Sequence, residues 1–191
     1  MTPRSALLIV DVQNDFCPGG ALPVPQGDRV VPALNRRIEE ALARGVPIYA
    51  TRDWHPPNTS HFEAFGGEWP VHCVQDTSGA RFHPELHLPS SAIVVTKGER
   101  PDHPGYSAFD GRTPDGTPLA ADLERRRVTH LLVGGLATDY CVKHSVLDAR
   151  AAGLTVTVLA DAIAGVDRRA GDSEQAIADM RAAGATLEAV P

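Results

Sequence analysis

The sequence predicts a single α/β domain built on a parallel sheet, and three observations point there. Short apolar runs rich in β-branched residues alternate along the chain with segments of helical spacing. No internal repeat or linker-like stretch divides the 191 residues. A composition of 42% apolar and 22% charged residues is that of a soluble globular chain, long enough to bury roughly 70% of its unfolded surface without a disulfide or metal for support.

Each element has its own warrant. Ser5 to Val10 is a continuous apolar run and reads as the first strand. From Asp28 to Gly45, Val30, Leu34, Ile38 and Leu42 recur on one helical face, and Gly45 stops the helix. Val46 to Thr51 suits a second buried strand, ending just before Asp53. Arg52 to Ser90 shows no lasting period and is studded with Pro and Gly, which predicts a long functional loop. Ala92 to Thr96 is the third strand, followed by a second Gly/Pro-rich loop from Gly98 to Pro118. A short helix over Pro118 to Arg127, a fourth strand over Val128 to Val133, and a helix from Thr138, its N-cap, to Ala152 come next. A strand at Leu154 to Leu159, a helix at Arg168 to Ala183 and a strand at Ala185 to Val190 complete the pattern.

A net charge of -6 argues against a protein that holds nucleic acid or anionic lipid by bulk charge, and Arg125 to Arg127 reads as a solvated helix end. No apolar run approaches the roughly 18 residues of a membrane span. Cys17, Cys73 and Cys141 are odd in number, widely spaced and preceded by no signal peptide. They read as free thiols in a reducing, cytoplasmic compartment. The composition leaves a homo-oligomer open beside a monomer.

In a parallel sheet the carboxyl ends of the strands share one edge, and ligands bind in the crevice outside it. Asp11, Asp53, Lys97 and Cys141 all fall at or just beyond such ends. Cys141 is placed early in a helix after Gly134 and Gly135, where the dipole would favour a thiolate. The N–H groups of Ala137 and Cys141 at that helix start are positioned to form an oxyanion hole for acyl transfer. His144 lies along the same helix rather than across the cleft, so Asp11 is the better base, with Lys97 holding its charge.

Five of the eight histidines fall between His55 and His87. Asp53 and His55 are two apart and project together from an extended segment, and His61 and His72 can fold back from the loop. Three His and one Asp suit a single divalent metal: Zn²⁺, Fe²⁺ or Mn²⁺. His83, His87, His103, His130 and His144 read as ordinary surface or core residues.

The segments D-V-Q-N-D-F-C-P-G-G-A-L (Asp11 to Leu22), T-R-D-W-H-P-P-N-T-S-H-F (Thr51 to Phe62), W-P-V-H-C (Trp69 to Cys73), T-K-G (Thr96 to Gly98) and G-L-A-T-D-Y-C-V (Gly135 to Val142) occur in this order. Together they resemble the nicotinamidase/pyrazinamidase branch of the isochorismatase-like cysteine hydrolases. The resemblance implies a three-layer Rossmann-like sheet flanked by helices, hydrolysis of nicotinamide, and of pyrazinamide as a surrogate, through a cysteine thioester, and one bound divalent metal, zinc first among the candidates. It implies Cys141 as nucleophile, Asp11 as base and later acid, and Lys97 as the third catalytic residue. Asp53, His55, His61 and His72 become the metal ligands. Phe16, Trp69 and Tyr106 would hold the flat ring, with Ala137 beside it. A cis peptide is implied at Leu136–Ala137. The alternatives are the same chemistry on another small amide or carbamoyl substrate, and a catalytically silent metal-binding domain of the same fold.

Overall fold

Six parallel strands run in the order β3-β2-β1-β4-β5-β6 in a computed structural model that describes residues 4–188. The strands are β1 (Ser5–Val10), β2 (Ile48–Asp53), β3 (Ile93–Lys97), β4 (His130–Leu136), β5 (Thr155–Ala164) and β6 (Thr186–Glu188), and the helices are α1 (Val30–Ala43), α2 (Leu119–Arg125), α3 (Lys143–Ala151) and α4 (Asp172–Ala182). The chain steps outward from β1 to β3, then returns to the other side of β1 for β4 to β6. The carboxyl ends of β1 and β4 therefore flank a switch point, the place where such sheets leave a crevice.

Both faces of the sheet are covered, which is why its strands read as continuous apolar runs. Leu7 and Ile9 face one core with Val30, Leu34 and Ile38 of α1. Ala6, Leu8 and Val10 face the other with Leu119 and Leu123 of α2, Val146 of α3 and Met180 of α4. On the α1 side no second helix among the described residues covers β2 and β3. The long loop between them does so, contributing Cys73, Ala80 and Leu86 to that core.

Several boundaries differ from the sequence reading. Strand β2 extends to Asp53, which pairs in register with Lys97 at the end of β3. Strand β5 runs on to Ala164 because its register with β4 breaks between Val133 and Gly135. That irregularity lets Asp161 point outward to Arg36 at 3.3 Å. Helix α4 starts only after Gly171, whose φ of 94° interrupts any helix begun at Arg168. Thr138 is not an N-cap. It opens a π-helical turn over Thr138–Val142 preceded by extended Ala137, and α3 follows from Lys143. The Val190 end of the expected last strand lies outside the described residues. Arg125 and Arg126 are largely exposed but not merely solvated, since both pair with buried Asp122, which also accepts a 2.6 Å hydrogen bond from Tyr49. Cys17, Cys73 and Cys141 are free and buried. No helix among the described residues is long and apolar enough to cross a membrane.

Candidate active site

Asp11 leaves β1 with left-handed backbone, φ 48°, which turns its carboxylate off the strand direction and over the sheet edge. Thr51 of β2 fixes that turn from both sides. Its hydroxyl accepts the Asp11 N–H at 3.1 Å and donates to Asp11 Oδ1 at 2.6 Å. Gln13 makes the matching link to the next strand end: its Oε1 accepts the Asp53 N–H, and its Nε2 donates to the Asp53 and Ala80 carbonyls, each within 2.9 Å. Gly135 makes the close approach of β4 possible. At φ 124° a Cβ there would stand 2.1 Å from Val10 O.

Lys97 is fully buried, and its ammonium is the hub. Nζ donates to Asp53 Oδ1 at 2.5 Å, to Gly105 O at 2.9 Å and to Cys141 Sγ at 3.5 Å. It also stands 2.8 Å from Asp11 Oδ2, close enough for an ion pair but off the hydrogen-bond direction. That oxygen is thus left with no hydrogen-bond donor among the described residues. The ammonium is shared unevenly, and the consequence is electrostatic. Burial raises the pKa of both carboxyls, but at Asp53 the close Lys97 ammonium, with His55 beside it, outweighs burial and lowers the pKa. At Asp11 burial, aided by the nearby Asp53 charge, outweighs Lys97, and its pKa is raised. The two carboxylates together push the Lys97 pKa well up.

The structure corrects the expectation of a helix-start thiolate at Cys141. Burial raises the thiol's pKa well above its ordinary value, and Lys97 only partly opposes this against Asp11 and Asp53. That shift favours the thiol at Cys141, so its reaction as a nucleophile would need a base. Cys141 Sγ and oxygens of Asp11 and Asp53 lie within 4.8 Å of one another, so a base with a free oxygen is at hand. Leu136–Ala137 is a cis peptide, and the Ala137 carbonyl accepts from the N–H groups of Tyr140 and Val142 in the turn that carries Cys141.

Beside this cluster His55, His61 and His72 each offer a ring nitrogen, all three within 4.8 Å. His55 Nδ1 pairs with Gly98 O at 3.1 Å, and His72 Nδ1 with Pro70 O at 2.7 Å. As carbonyls only accept, each Nδ1 carries the proton and each Nε2 is left with a lone pair. Buried His55 Nε2 has no hydrogen-bond partner among the described residues, with Asp53 Oδ2 at 3.7 Å. Burial, then the neighbouring His55 and His72, lowers the His61 pKa to about 3, and burial lowers that of His72. Converging imidazoles with an orphaned nitrogen fit a divalent metal. Asp53 stands between the two clusters, one oxygen on Lys97 and the other toward His55.

A pocket opens onto both clusters, lined by Phe16, Trp69 and Tyr106, by Asp53, His61 and His72, and by Ala137 and Cys141. A larger, open depression lined by Arg4, Leu42 and Ile93 lies at the amino ends of the strands, away from these groups. All the predicted site residues therefore converge in one place. The isochorismatase domain family matches residues 5–190. This chain belongs to the isochorismatase family. It is 45% identical to the nicotinamidase of Escherichia coli K12 over 98% of this chain and 95% of the relative. It is 41% identical to the nicotinamidase/pyrazinamidase of Mycobacterium tuberculosis over 95% and 97%. The crystal structure of the pyrazinamidase of Pyrococcus horikoshii in complex with zinc superposes with a TM-score of 0.90 at 42% identity, covering 98% of this chain and all of that one.

For this isochorismatase-family chain, sequence reasoning did not reach Thr51, Gln13, Leu22 or Val166. Thr51 and Gln13 sat inside the T-R-D and D-V-Q segments, but their hydrogen bonds join residues 40 apart. Leu22 and Val166 line the pocket with no local signal. Tyr140 also lines it and meets Trp69 edge-on at 4.8 Å. His144, read as ordinary, stacks on Tyr106 at 5.3 Å with the rings 15° apart, backing the pocket wall.

Proposed function

We propose that this protein is a nicotinamidase, hydrolysing nicotinamide, and pyrazinamide with it, to the carboxylate and ammonia. The observation that carries the reading is Asp11 Oδ2, ion-paired with Lys97 but accepting no hydrogen bond among the described residues, beside the buried Cys141 sulfur at an aromatic pocket. Asp11 takes the Cys141 proton as sulfur attacks the carboxamide carbon. The Ala137 and Cys141 N–H groups receive the developing oxyanion. Asp11 then hands its proton to the leaving nitrogen, the C–N bond breaks, ammonia departs, and a thioester remains. Asp11 next takes a proton from water as the hydroxyl adds to the thioester. The C–S bond breaks, the carboxylate product forms, and Cys141 regains a proton. Lys97 keeps Asp53 ionised and limits the charge that builds on Asp11 and sulfur.

Phe16, Trp69 and Tyr106 present ring faces and edges to a flat heteroaromatic substrate. A divalent metal held by His55, His61 and His72, with Asp53 adjacent, would supply a Lewis-acid contact for a ring nitrogen, and zinc is the first candidate. Ammonia release from nicotinamide by metal-replete protein tests the reading. Wild type should turn over, and Cys141→Ala should release none while retaining the metal. Release from other small amides but not from nicotinamide would refute the substrate assignment.

A further inference from the structure

The pocket is narrow. The space enclosed by its lining measures about 30 Å³, room for a water or two, whereas an engineered cavity that takes up benzene measures about 150 Å³. A ring-sized ligand therefore reaches Cys141 only if a wall moves.

Two walls meet at the mouth, and they differ in how they are held. The segment after β5 is tied to the nucleophile's own turn, since both oxygens of Asp139 accept from it, from Val166 N–H at 2.9 Å and Asp167 N–H at 2.8 Å. Asp167 in turn accepts from Ser173 N–H and Oγ at the start of α4. The opposite wall is the loop carrying Glu68 and Trp69, whose neighbours Phe65 and Val71 are half exposed. It is braced by Glu63 N–H to Trp69 O and Trp69 N–H to His61 O, and its Trp69 also donates from Nε1 to Tyr106 Oη at 2.9 Å. From the segment after β5 a charged side chain reaches it. Arg168 lies with its guanidinium 5.0 Å over the Trp69 ring and pairs with Glu68 at 3.4 Å.

We infer that Arg168 is the clasp of the pocket: by lying over Trp69 and pairing with Glu68 it holds the 63–71 loop against the segment after β5, and its release admits and discharges flat, ring-sized ligands. The clasp deepens the hydrolase reading but does not rest on the identity of the amide. Arg168 touches neither the reacting atoms nor the metal ligands, so it is a positioning residue. Its contacts are partly exposed, and an exposed cation–π contact and an exposed ion pair are each weak. That weakness suits a contact that must open on every turnover.

The test is the rate at which iodoacetamide, a small uncharged alkylator, labels Cys141 in the metal-loaded, ligand-free protein, read by mass spectrometry of the Cys141 peptide. Arg168→Ala should raise that rate about five- to tenfold, the combined release of both contacts. Glu68→Gln, which removes only the ion pair, should raise it less, up to about fivefold, and added salt should speed wild type but not this variant. Cys17 labelling serves as the control for general loosening, because that thiol is buried and lies outside the 63–71 loop. Equal Cys141 rates in wild type and both variants would overturn the clasp, as would a parallel rise at Cys17. Because labelling needs no substrate, a protein that fails to hydrolyse nicotinamide yet shows these rate changes refutes the function and leaves the clasp standing.

Discussion

Thr51→Val isolates what holds the base. Valine nearly matches threonine in shape, so this fully buried position loses a hydroxyl without opening a cavity. The hydroxyl's 2.6 Å hydrogen bond to Asp11 Oδ1 stabilises the ionised carboxylate, and such bonds to charged groups contribute about 1.5–3 kcal/mol. At about 1.4 kcal/mol per pKa unit, losing it raises the Asp11 pKa by about one to two units. Burial has already raised that pKa. Asp11 must be ionised to act as base, so activity is lost as pH falls through its folded pKa. The acid limb of kcat/KM for nicotinamide should therefore move up by about one to two pH units, with the plateau largely kept. The variant also strands the Asp11 N–H, so its Tm should fall by about 5–10 °C above the limb and by less below it, where Asp11 is protonated in both proteins. A limb that stays in place while the Tm drops would refute Asp11 as the proton acceptor.

Four further outcomes follow from the same geometry. Lys97→Met leaves Asp11 and Asp53 buried together without their cation. It should cost about 3–5 kcal/mol at neutral pH by denaturant unfolding, and the deficit should shrink on acidification as the carboxyls take up protons. His55→Ala or His72→Ala should weaken metal binding at least about tenfold by titration with zinc. In the metal-free protein, stability should fall as pH drops below about 6.5, because the unfolded chain binds a proton that His61 refuses until about 3. Gly135→Ala, whose Cβ would meet Val10 O at 2.1 Å, should cost at least about 3 kcal/mol or prevent soluble expression.

Local periodicity and punctuation were enough to read the strands, the helices and the sheet edge where Asp11, Asp53, Lys97 and Cys141 meet, because each of those signals is carried by residues near one another in the chain. The shared motifs pointed to the family and to all three site histidines in the same way. The π-helical turn at Cys141 escaped that reading, since its backbone answers to the close approach of β4 to β1 and not to the helical pattern around Thr138. The charge state of the thiol escaped it too. A helix-start position argues for a thiolate, but a fully buried sulfur beside two carboxylates argues more strongly for a thiol, and only packing reveals the burial. The roles of Thr51, Gln13 and Arg168 likewise depend on partners 40 to 100 residues away. Sequence by itself determined which chemical groups this protein brings to the edge of its sheet. Tertiary structure decided how burial and neighbouring charges tune those groups, which carboxylate oxygen lacks a hydrogen-bond donor and which segments wall the pocket, because desolvation, hydrogen-bond direction and packing are set by distant segments meeting in space.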